Sequence, residues 1–140
     1  MRTCLLALLI AGTASAAPVP KELKEDDLSR FEGLWWEVRF NDAVAPNAGA
    51  ARRFSFGKDG KAGIHSGAGA KPHPYTFALD PSTIPPSFTW KGPTAREDYR
   101  AIYRLDGDNL HIVFVEAAKP LPQEVKAGAG DVYYELKRLK

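Results

Sequence analysis

Cysteine is almost absent from this sequence: the only one among 140 residues is Cys4. It lies within residues 1–16, whose order of a positive charge, an apolar run and the small-residue triplet Ala14-Ser15-Ala16 is typical of a secretory signal. We therefore predict cleavage after Ala16 and a single domain, residues 17–140, exported to the periplasm or the cell exterior. That domain has no cysteine, which excludes disulfide bonds, thiolate metal ligands and a cysteine nucleophile.

The sequence also lacks an apolar run long enough to cross a membrane. Residues 4–11 are apolar, but a transmembrane helix needs about 20 such residues. Neither sign of charge predominates, because 19 Lys and Arg residues oppose 17 Asp and Glu residues, a net charge of +2. The local basic clusters, Arg52-Arg53 and residues 137–140, do not form the basic stripe that nucleic-acid binding requires. We predict neither a transmembrane segment nor a nucleic-acid partner.

Residues suited to metal or covalent chemistry are few and scattered. The three histidines, His65, His73 and His111, do not have the close spacing of a metal-binding pair, and no acidic cluster accompanies them. No serine has the Gly-x-Ser-x-Gly setting of a hydrolase nucleophile, and Gly67-Ala68-Gly69-Ala70 lacks the Gly-Lys-Ser/Thr ending of a phosphate loop. The sequence therefore predicts no metal ion, no cofactor and no catalytic residue, and an enzyme is the least favoured interpretation.

What the sequence does contain is a clear β-hairpin over residues 101–115. Side chains alternate along both halves, so that every second residue is apolar and the two halves read as half-buried strands. Between them, Asp106-Gly107-Asp108-Asn109 supplies residues that tolerate a positive φ angle and reverse the chain tightly. The pattern predicts a fold, and it predicts no reaction.

Eight strands of this kind are predicted, after one short helix over residues 21–30. They cover residues 33–40, 53–56, 62–65, 74–79, 88–90, 101–105, 110–115 and 131–139. Eight antiparallel strands with short connections close most simply into an up-and-down barrel, which leaves no exposed edge. Closure requires residues 33–40 to pair with residues 131–139. The alternative all-β fold is a β-sandwich. Residues 41–51 are expected to form a loop at the barrel mouth.

The first strand carries a broad resemblance. Gly33-x-Trp35, after a short helical turn, resembles the Gly-x-Trp opening of lipocalins. The resemblance implies a barrel whose closed end has this Trp packed beneath a basic residue from late in the chain. Arg138 is the match by position, and it shares a strand face with Tyr134 and Leu136. We therefore predict that Trp35 and Arg138 form a structural latch at the closed end.

A narrower resemblance covers most of residues 17–140. The chain is similar to a family of uncharacterised, lipocalin-like secreted domains expanded in planctomycete bacteria. The similar stretches are residues 28–38, 79–85, 102–112, 119–125 and 136–138. The chain departs from the family pattern at three positions: Val113 replaces a Cys, and Leu121 and Val125 replace an Arg and a Phe. The resemblance implies a secreted barrel and no particular biochemical function.

The interior of the predicted barrel is bulky. Successive side chains of a strand point to opposite faces, and this alternation, or parity, gives a set of inward residues. They are Phe54, Phe56, Tyr75, Phe77, Phe88, Trp90, Tyr103, Leu110, Ile112, Phe114 and Tyr134. An eight-stranded barrel is only just wide enough to be filled by side chains or to hold one small ligand, and so many aromatic rings favour filling.

Glu37 and Arg39 are the candidate ligand-facing residues. If Trp35 points inward, the period-2 rule sends both of these side chains inward as well, where the pair could bind a polar ligand. Burying two charges costs several kcal/mol per ion unless they are paired and hydrogen-bonded. The alternative is therefore a strand whose later part bulges outward.

These observations leave two main functional hypotheses. The first is a secreted, non-enzymatic binding module that takes a small apolar or amphipathic ligand, or a partner protein, at the open end of the barrel. The second is a structural or interaction domain with a packed core and no ligand. The size of the internal cavity discriminates between them, because ligand sites usually have about 300 Å³ or more.

Overall fold

The computed structural model describes residues 23–45, 51–67 and 69–140. The predicted signal, residues 1–16, lies outside the described residues, and so does the beginning of the predicted first helix. Among the described residues, no helix combines the length and the hydropathy needed to cross a membrane.

The described part of the chain contains one α-helix, one short 3₁₀ helix and nine strands. Their bounds are α1 Leu23–Phe31, β1 Gly33–Phe40, β2 Ala43–Val44, β3 Arg53–Phe56, β4 Lys61–His65, β5 His73–Asp80, β6 Ser87–Lys91, the 3₁₀ helix Ala95–Glu97, β7 Tyr99–Asp106, β8 Asn109–Glu116 and β9 Val132–Arg138.

The strands form a closed antiparallel barrel. They lie in the order β2-β1-β3-β4-β5-β6-β7-β8-β9, and β1 also pairs with β9, for example Trp35 opposite Arg138. This pairing confirms the predicted eight-stranded, lipocalin-like barrel and excludes the β-sandwich. Strand β2 is the one addition. It lies within the predicted loop 41–51 and pairs with the last two residues of β1, after a tight turn in which Asn41 has a φ of 51°.

The β7–β8 hairpin joins its strands without a register shift from Tyr99 opposite Glu116 to Asp106 opposite Asn109. The two loop residues are therefore Gly107 and Asp108, and of these only Gly107 has a positive φ, 59°. Glycine at the first of two central positions is the pattern of a type II′ turn, whose twist matches that of the flanking strands.

The eleven bulky side chains that the alternation places inside all belong to the central core or pack against it. Helix α1 adds Phe31, which is fully buried and closes the barrel from below. Its ring centroid lies 4.8 Å from that of Tyr103, 5.3 Å from that of Phe56 and 5.8 Å from that of Phe88, each in an edge-to-face arrangement. Such pairs are each worth about 0.5 to 1.5 kcal/mol beyond the area they bury. One end of the barrel is thus filled with rings.

A second cluster lies on the outside of the barrel. Ile102, Val113 and Tyr133 are buried there beneath the β8–β9 connection, residues 117–131, which contributes Leu121, Val125, Ala127 and Ala129. Because both faces of β8 are covered, residues 112–115 are a continuous apolar run and not an alternating one. Val113, Leu121 and Val125, three positions singled out from the sequence, all lie in this outer cluster.

Candidate functional site

The barrel has two dissimilar ends. The closed end comprises the start of β1, the end of β9 and the turn at residues 107–108; the open end comprises the end of β1, the start of β9 and residues 92–98. The predicted contact at the closed end is present, since the guanidinium carbon of Arg138 lies 4.3 Å from the ring centroid of Trp35. The Trp35 Nε1–H donates to the carbonyl oxygen of Phe31 at 2.9 Å.

Arg138 also caps the helix that precedes β1. Its Nη1 donates to the carbonyl oxygen of Glu32 at 2.5 Å, and its Nη2 donates to the carbonyl oxygen of Arg30. The last carbonyls of a helix have no intrahelical partner, so these bonds satisfy groups that would otherwise need water. Gly33 is required beside them, because its φ is 126° and a Cβ there would lie 3.0 Å from Arg138 Nη1. The contacts make the closed end a structural element.

The side chains of the two candidate ligand-facing residues lie on opposite faces of β1, because a β-bulge separates them. The β1–β9 register shifts between Glu37 and Arg39, so the period-2 rule holds for Glu37 and fails for Arg39. The side chain of Arg39 is 45% exposed and lies on the outside, 3.8 Å from Glu135. The expectation that Arg39 faces the interior with Glu37 is therefore wrong. The structure agrees with the alternative, a strand whose later part bulges outward.

The partner of Glu37 is instead Arg52, a residue that the sequence pattern did not single out. Glu37 is 5% exposed, and its Oε2 accepts a hydrogen bond from Arg52 Nε at 2.7 Å. Arg52 Nη1 donates to the Tyr134 hydroxyl at 2.9 Å, and its guanidinium carbon lies 4.4 Å from the ring centroid of Phe40. Arg52 shares its parity with Phe54 and Phe56, which is the sequence signal that could have placed it inside.

Above this ion pair, the open end contains a cavity of about 520 Å³. Aromatic and aliphatic side chains form most of its wall, with Arg52 at the floor. The lining residues are Arg52, Ile64, Ser66, His73, Tyr75, Trp90, Glu97, Tyr99, Phe114, Val132 and Tyr134. Tyr75 and Trp90 present one continuous aromatic surface, with ring centroids 4.7 Å apart and planes inclined by 34°. The predicted filling of the barrel therefore describes the closed half, whereas the open half keeps a cavity.

A histidine–carboxylate pair stands at the rim. His73 Nε2 lies 2.6 Å from Glu97 Oε2, and Thr94 Oγ1 donates to Glu97 Oε1 at 3.1 Å. The hydrogen bond from His73 lowers the pKa of Glu97, which keeps this carboxylate ionised. Gly92 allows the 3₁₀ helix to approach, since a Cβ at residue 92 would clash with the side chain of Glu97. The pair therefore fixes the position of the β6–β7 connection beside the cavity.

The hydroxyl groups of the cavity remain protonated. Burial raises the pKa of Tyr134 to about 12, and burial also raises the pKa of Tyr75. Both phenols are therefore neutral at pH 7, and each keeps an O–H that can donate a hydrogen bond. Together with Arg52, they make the polar part of the cavity rich in donors.

A larger depression of about 680 Å³ lies on the outer wall, near the closed end. Its central polar groups already satisfy one another, because the Tyr103 hydroxyl donates to Asp27 Oδ2 at 2.7 Å and Asp27 lies 3.5 Å from Arg30. Burial raises the pKa of Tyr103, so it stays a donor to Asp27. The open-end cavity is the better candidate, because its wall is mostly aromatic and aliphatic and its Arg52 Nη2 makes no hydrogen bond in the described part of the chain.

Other chemistry finds little support in the described ranges. Across residues 23–45, 51–67 and 69–140, no three His, Cys, Asp or Glu side chains are grouped so that they could share a metal ion. Ser55 Oγ lies 3.3 Å from His65 Nε2, but strand parity puts both on the outer face of the barrel, away from the cavity.

Comparison of the chain with protein-family models, with curated proteins and with solved structures finds no match.

Proposed function

We propose that this protein is an exported, non-enzymatic binding module that takes one small amphipathic ligand into the cavity at the open end of the barrel. The observation that carries the proposal is the combination of an aromatic wall with a single anchored guanidinium in a space of about 520 Å³. Pockets for small organic ligands usually measure about 300–1,000 Å³, are largely apolar and contain few polar groups.

The position of Glu37 supports a binding role. A carboxylate at a core position of β1 costs stability even when it is paired, and apolar residues of similar size often stabilise a protein as well or better. The Glu37–Arg52 pair lies at the floor of the cavity, where a packed apolar core would be the simpler solution. Departures from ideal packing are expected where function requires them.

The rigidity of the wall also favours binding. Trp90 is 2% exposed, and its ring contacts both Phe56 and Phe114 in addition to Tyr75. A ligand that packs against such a wall does not have to order it, so less of the gain from apolar contact is lost to side-chain entropy.

A solvatochromic dye tests the proposal. N-phenyl-1-naphthylamine, which is apolar and uncharged, should fluoresce when it enters the cavity with micromolar affinity. Val132→Trp should fill the cavity and weaken dye binding at least tenfold, because Val132 lines it. Val44→Trp is the matched control: Val44 is 71% exposed and does not line the cavity, so the same change there should leave binding unaltered.

The rival hypothesis is a structural or interaction domain that binds no small ligand, and the ring-filled closed half is what favours it. In that case the dye should not bind, or Val132→Trp and Val44→Trp should affect its binding equally. Export is tested separately: the mature protein recovered from outside the cytoplasm should begin at Ala17. An amino terminus that retains Met1 would contradict export and leave the cavity argument untouched.

A further inference from the structure

The charges around the cavity floor compensate one another before any ligand arrives. Arg52 carries the one guanidinium among the lining residues, and its Nε lies 2.7 Å from Glu37 Oε2. The other ionised group at the wall is the carboxylate of Glu97, whose Oε2 lies 2.6 Å from His73 Nε2, and it adds no positive charge. A second carboxylate entering the cavity would therefore find a cation that is already neutralised, with Glu37 close behind it.

The hydrogen-bonding groups point to a different kind of partner. Arg52 uses Nε for Glu37 and one N–H of Nη1 for Tyr134, and in the described part of the chain Nη2 makes no hydrogen bond. Tyr134 accepts from Arg52 and so retains its own O–H as a donor, and Tyr75 offers another. The cavity thus offers several donors with no net positive charge, and an uncharged acceptor oxygen satisfies them without bringing in a further charge.

We infer that the cavity selects uncharged ligands with a flat apolar body and a carbonyl-type oxygen at one end, that it discriminates against carboxylates, and that Glu37 sets this selectivity. The flat body lies against the surface formed by Tyr75 and Trp90, and the oxygen faces Arg52 and Tyr134. This inference rests on the proposed binding function and names its ligand class.

Three probes with one ring system test the ligand class. 2-Naphthamide, 2-naphthoate and naphthalene are each titrated into the wild-type protein with bound N-phenyl-1-naphthylamine at pH 7, and displacement of the dye is measured. 2-Naphthamide should displace the dye at a concentration at least tenfold lower than 2-naphthoate, and at a lower concentration than naphthalene. Since naphthalene is the most apolar of the three, simple partitioning would put it first.

A charge-removing substitution tests the role of Glu37. Glu37→Gln leaves Arg52 uncompensated, so the affinity for 2-naphthoate relative to 2-naphthamide should rise at least tenfold. Glu135→Gln is the matched control, because it removes the same charge on the outer face, beside Arg39, and should leave the ratio unchanged. Thermal unfolding checks that both variants fold. The wild-type titrations decide the ligand class even if Glu37→Gln does not fold.

The outcomes separate this inference from the function on which it rests. If none of the probes binds and the dye does not bind, the binding function itself fails. If the dye binds but 2-naphthoate equals or exceeds 2-naphthamide, the cavity binds ligands and the inferred selectivity is wrong. If 2-naphthamide binds no better than naphthalene, the polar end is not recognised. An equal shift of the ratio in Glu37→Gln and Glu135→Gln would assign the effect to overall charge and remove Glu37 from its role.

Discussion

Both ends of the barrel hold an arginine against an aromatic ring, and they differ in where the donors of that arginine go. Arg138 lies 4.3 Å from the Trp35 ring and gives its N–H groups to the backbone carbonyls of Arg30 and Glu32. Arg52 lies 4.4 Å from the Phe40 ring and bonds two side chains, Glu37 and Tyr134, at the floor of the cavity. The first arrangement satisfies backbone carbonyl groups, whereas the second leaves Arg52 Nη2 without a hydrogen bond in the described part of the chain, available to the ligand that we propose.

The two ends also differ in how their apolar side chains pack. At the closed end, Phe31 comes from α1 and fills the space between the strands with edge-to-face ring contacts. At the open end, the rings of Tyr75, Trp90 and Phe114 line a space without filling it. One sheet therefore supports a half that is packed with side chains and a half that contains a cavity.

The largest expected effect concerns the open end. Arg52→Leu leaves the buried carboxylate of Glu37 without its partner; because Arg52 itself is 36% exposed, the free energy of unfolding should fall by an amount at the lower end for such pairs, about 3 kcal/mol. The double variant Arg52→Leu/Glu37→Leu should recover most of that loss, because no unpaired charge remains. Urea unfolding measures both. A double variant as unstable as the single one would mean that the pair supports the fold itself, which would erase the difference between the two ends.

At the closed end, Arg138→Ala should lower the free energy of unfolding by about 2 kcal/mol, since it removes the contact with Trp35 and two charged hydrogen bonds to carbonyls. Trp fluorescence should change, and dye affinity at the open end should not. Lys137→Ala is the control on the neighbouring, exposed residue, with an expected change within about 0.5 kcal/mol. Lost dye affinity in Arg138→Ala with unaltered stability would reverse the assignment of the two ends.

The sequence allows much of the closed end to be predicted. Period-2 alternation identifies the inward residues of long strands, and the closing pair of strands follows from the strand count. Parity, joined to the Gly-x-Trp resemblance, also brings Trp35 and Arg138 together. The inward residues follow from local alternation along each strand, which the sequence alone contains, whereas the Trp35–Arg138 contact is predicted only with the help of the resemblance.

The open end is predicted less well, for identifiable reasons. A β-bulge leaves no mark in the alternation, so the period-2 rule sends Arg39 inside although it faces outward. Arg52 lies one residue before the predicted second strand, residues 53–56, so the strand bounds hide its parity with Phe54. His73 and Glu97 meet across 24 positions of sequence, through a 3₁₀ helix that no pattern predicts. A candidate site assembled from strand ends and connections depends on tertiary contacts that periodicity does not encode.

A pH-dependent effect should report on the open end. Since the pKa of Tyr134 is raised to about 12 in the folded protein, the folded state holds this proton more tightly than the unfolded state, whose phenol titrates near pH 10. The resulting stability is fully present below pH 10 and is lost as the pH rises towards 12. Tyr134→Phe should therefore lose about 1 kcal/mol less than the wild type between pH 9 and pH 11 in urea unfolding. An identical loss in both proteins would contradict the burial of this hydroxyl beside Arg52.

The smallest effect returns to the closed end. Gly107→Val should lower the free energy of unfolding by about 1 kcal/mol, because a β-branched residue resists the φ of 59° that residue 107 has in the turn. The space around residue 107 is open, with no atom within 4 Å of the position that a Cβ would take, so the cost comes from the backbone and not from a clash. Gly107→Asn is the control, since Asn adopts a positive φ more readily than a β-branched residue and should cost less than Val. The turn lies next to the latch, as Arg138 N donates to the Asp108 carbonyl at 2.9 Å, yet it lies far along the barrel from the cavity. Dye affinity should therefore be the same in all three proteins, and a loss of affinity in Gly107→Val alone would show that the two ends are coupled through β7 and β8.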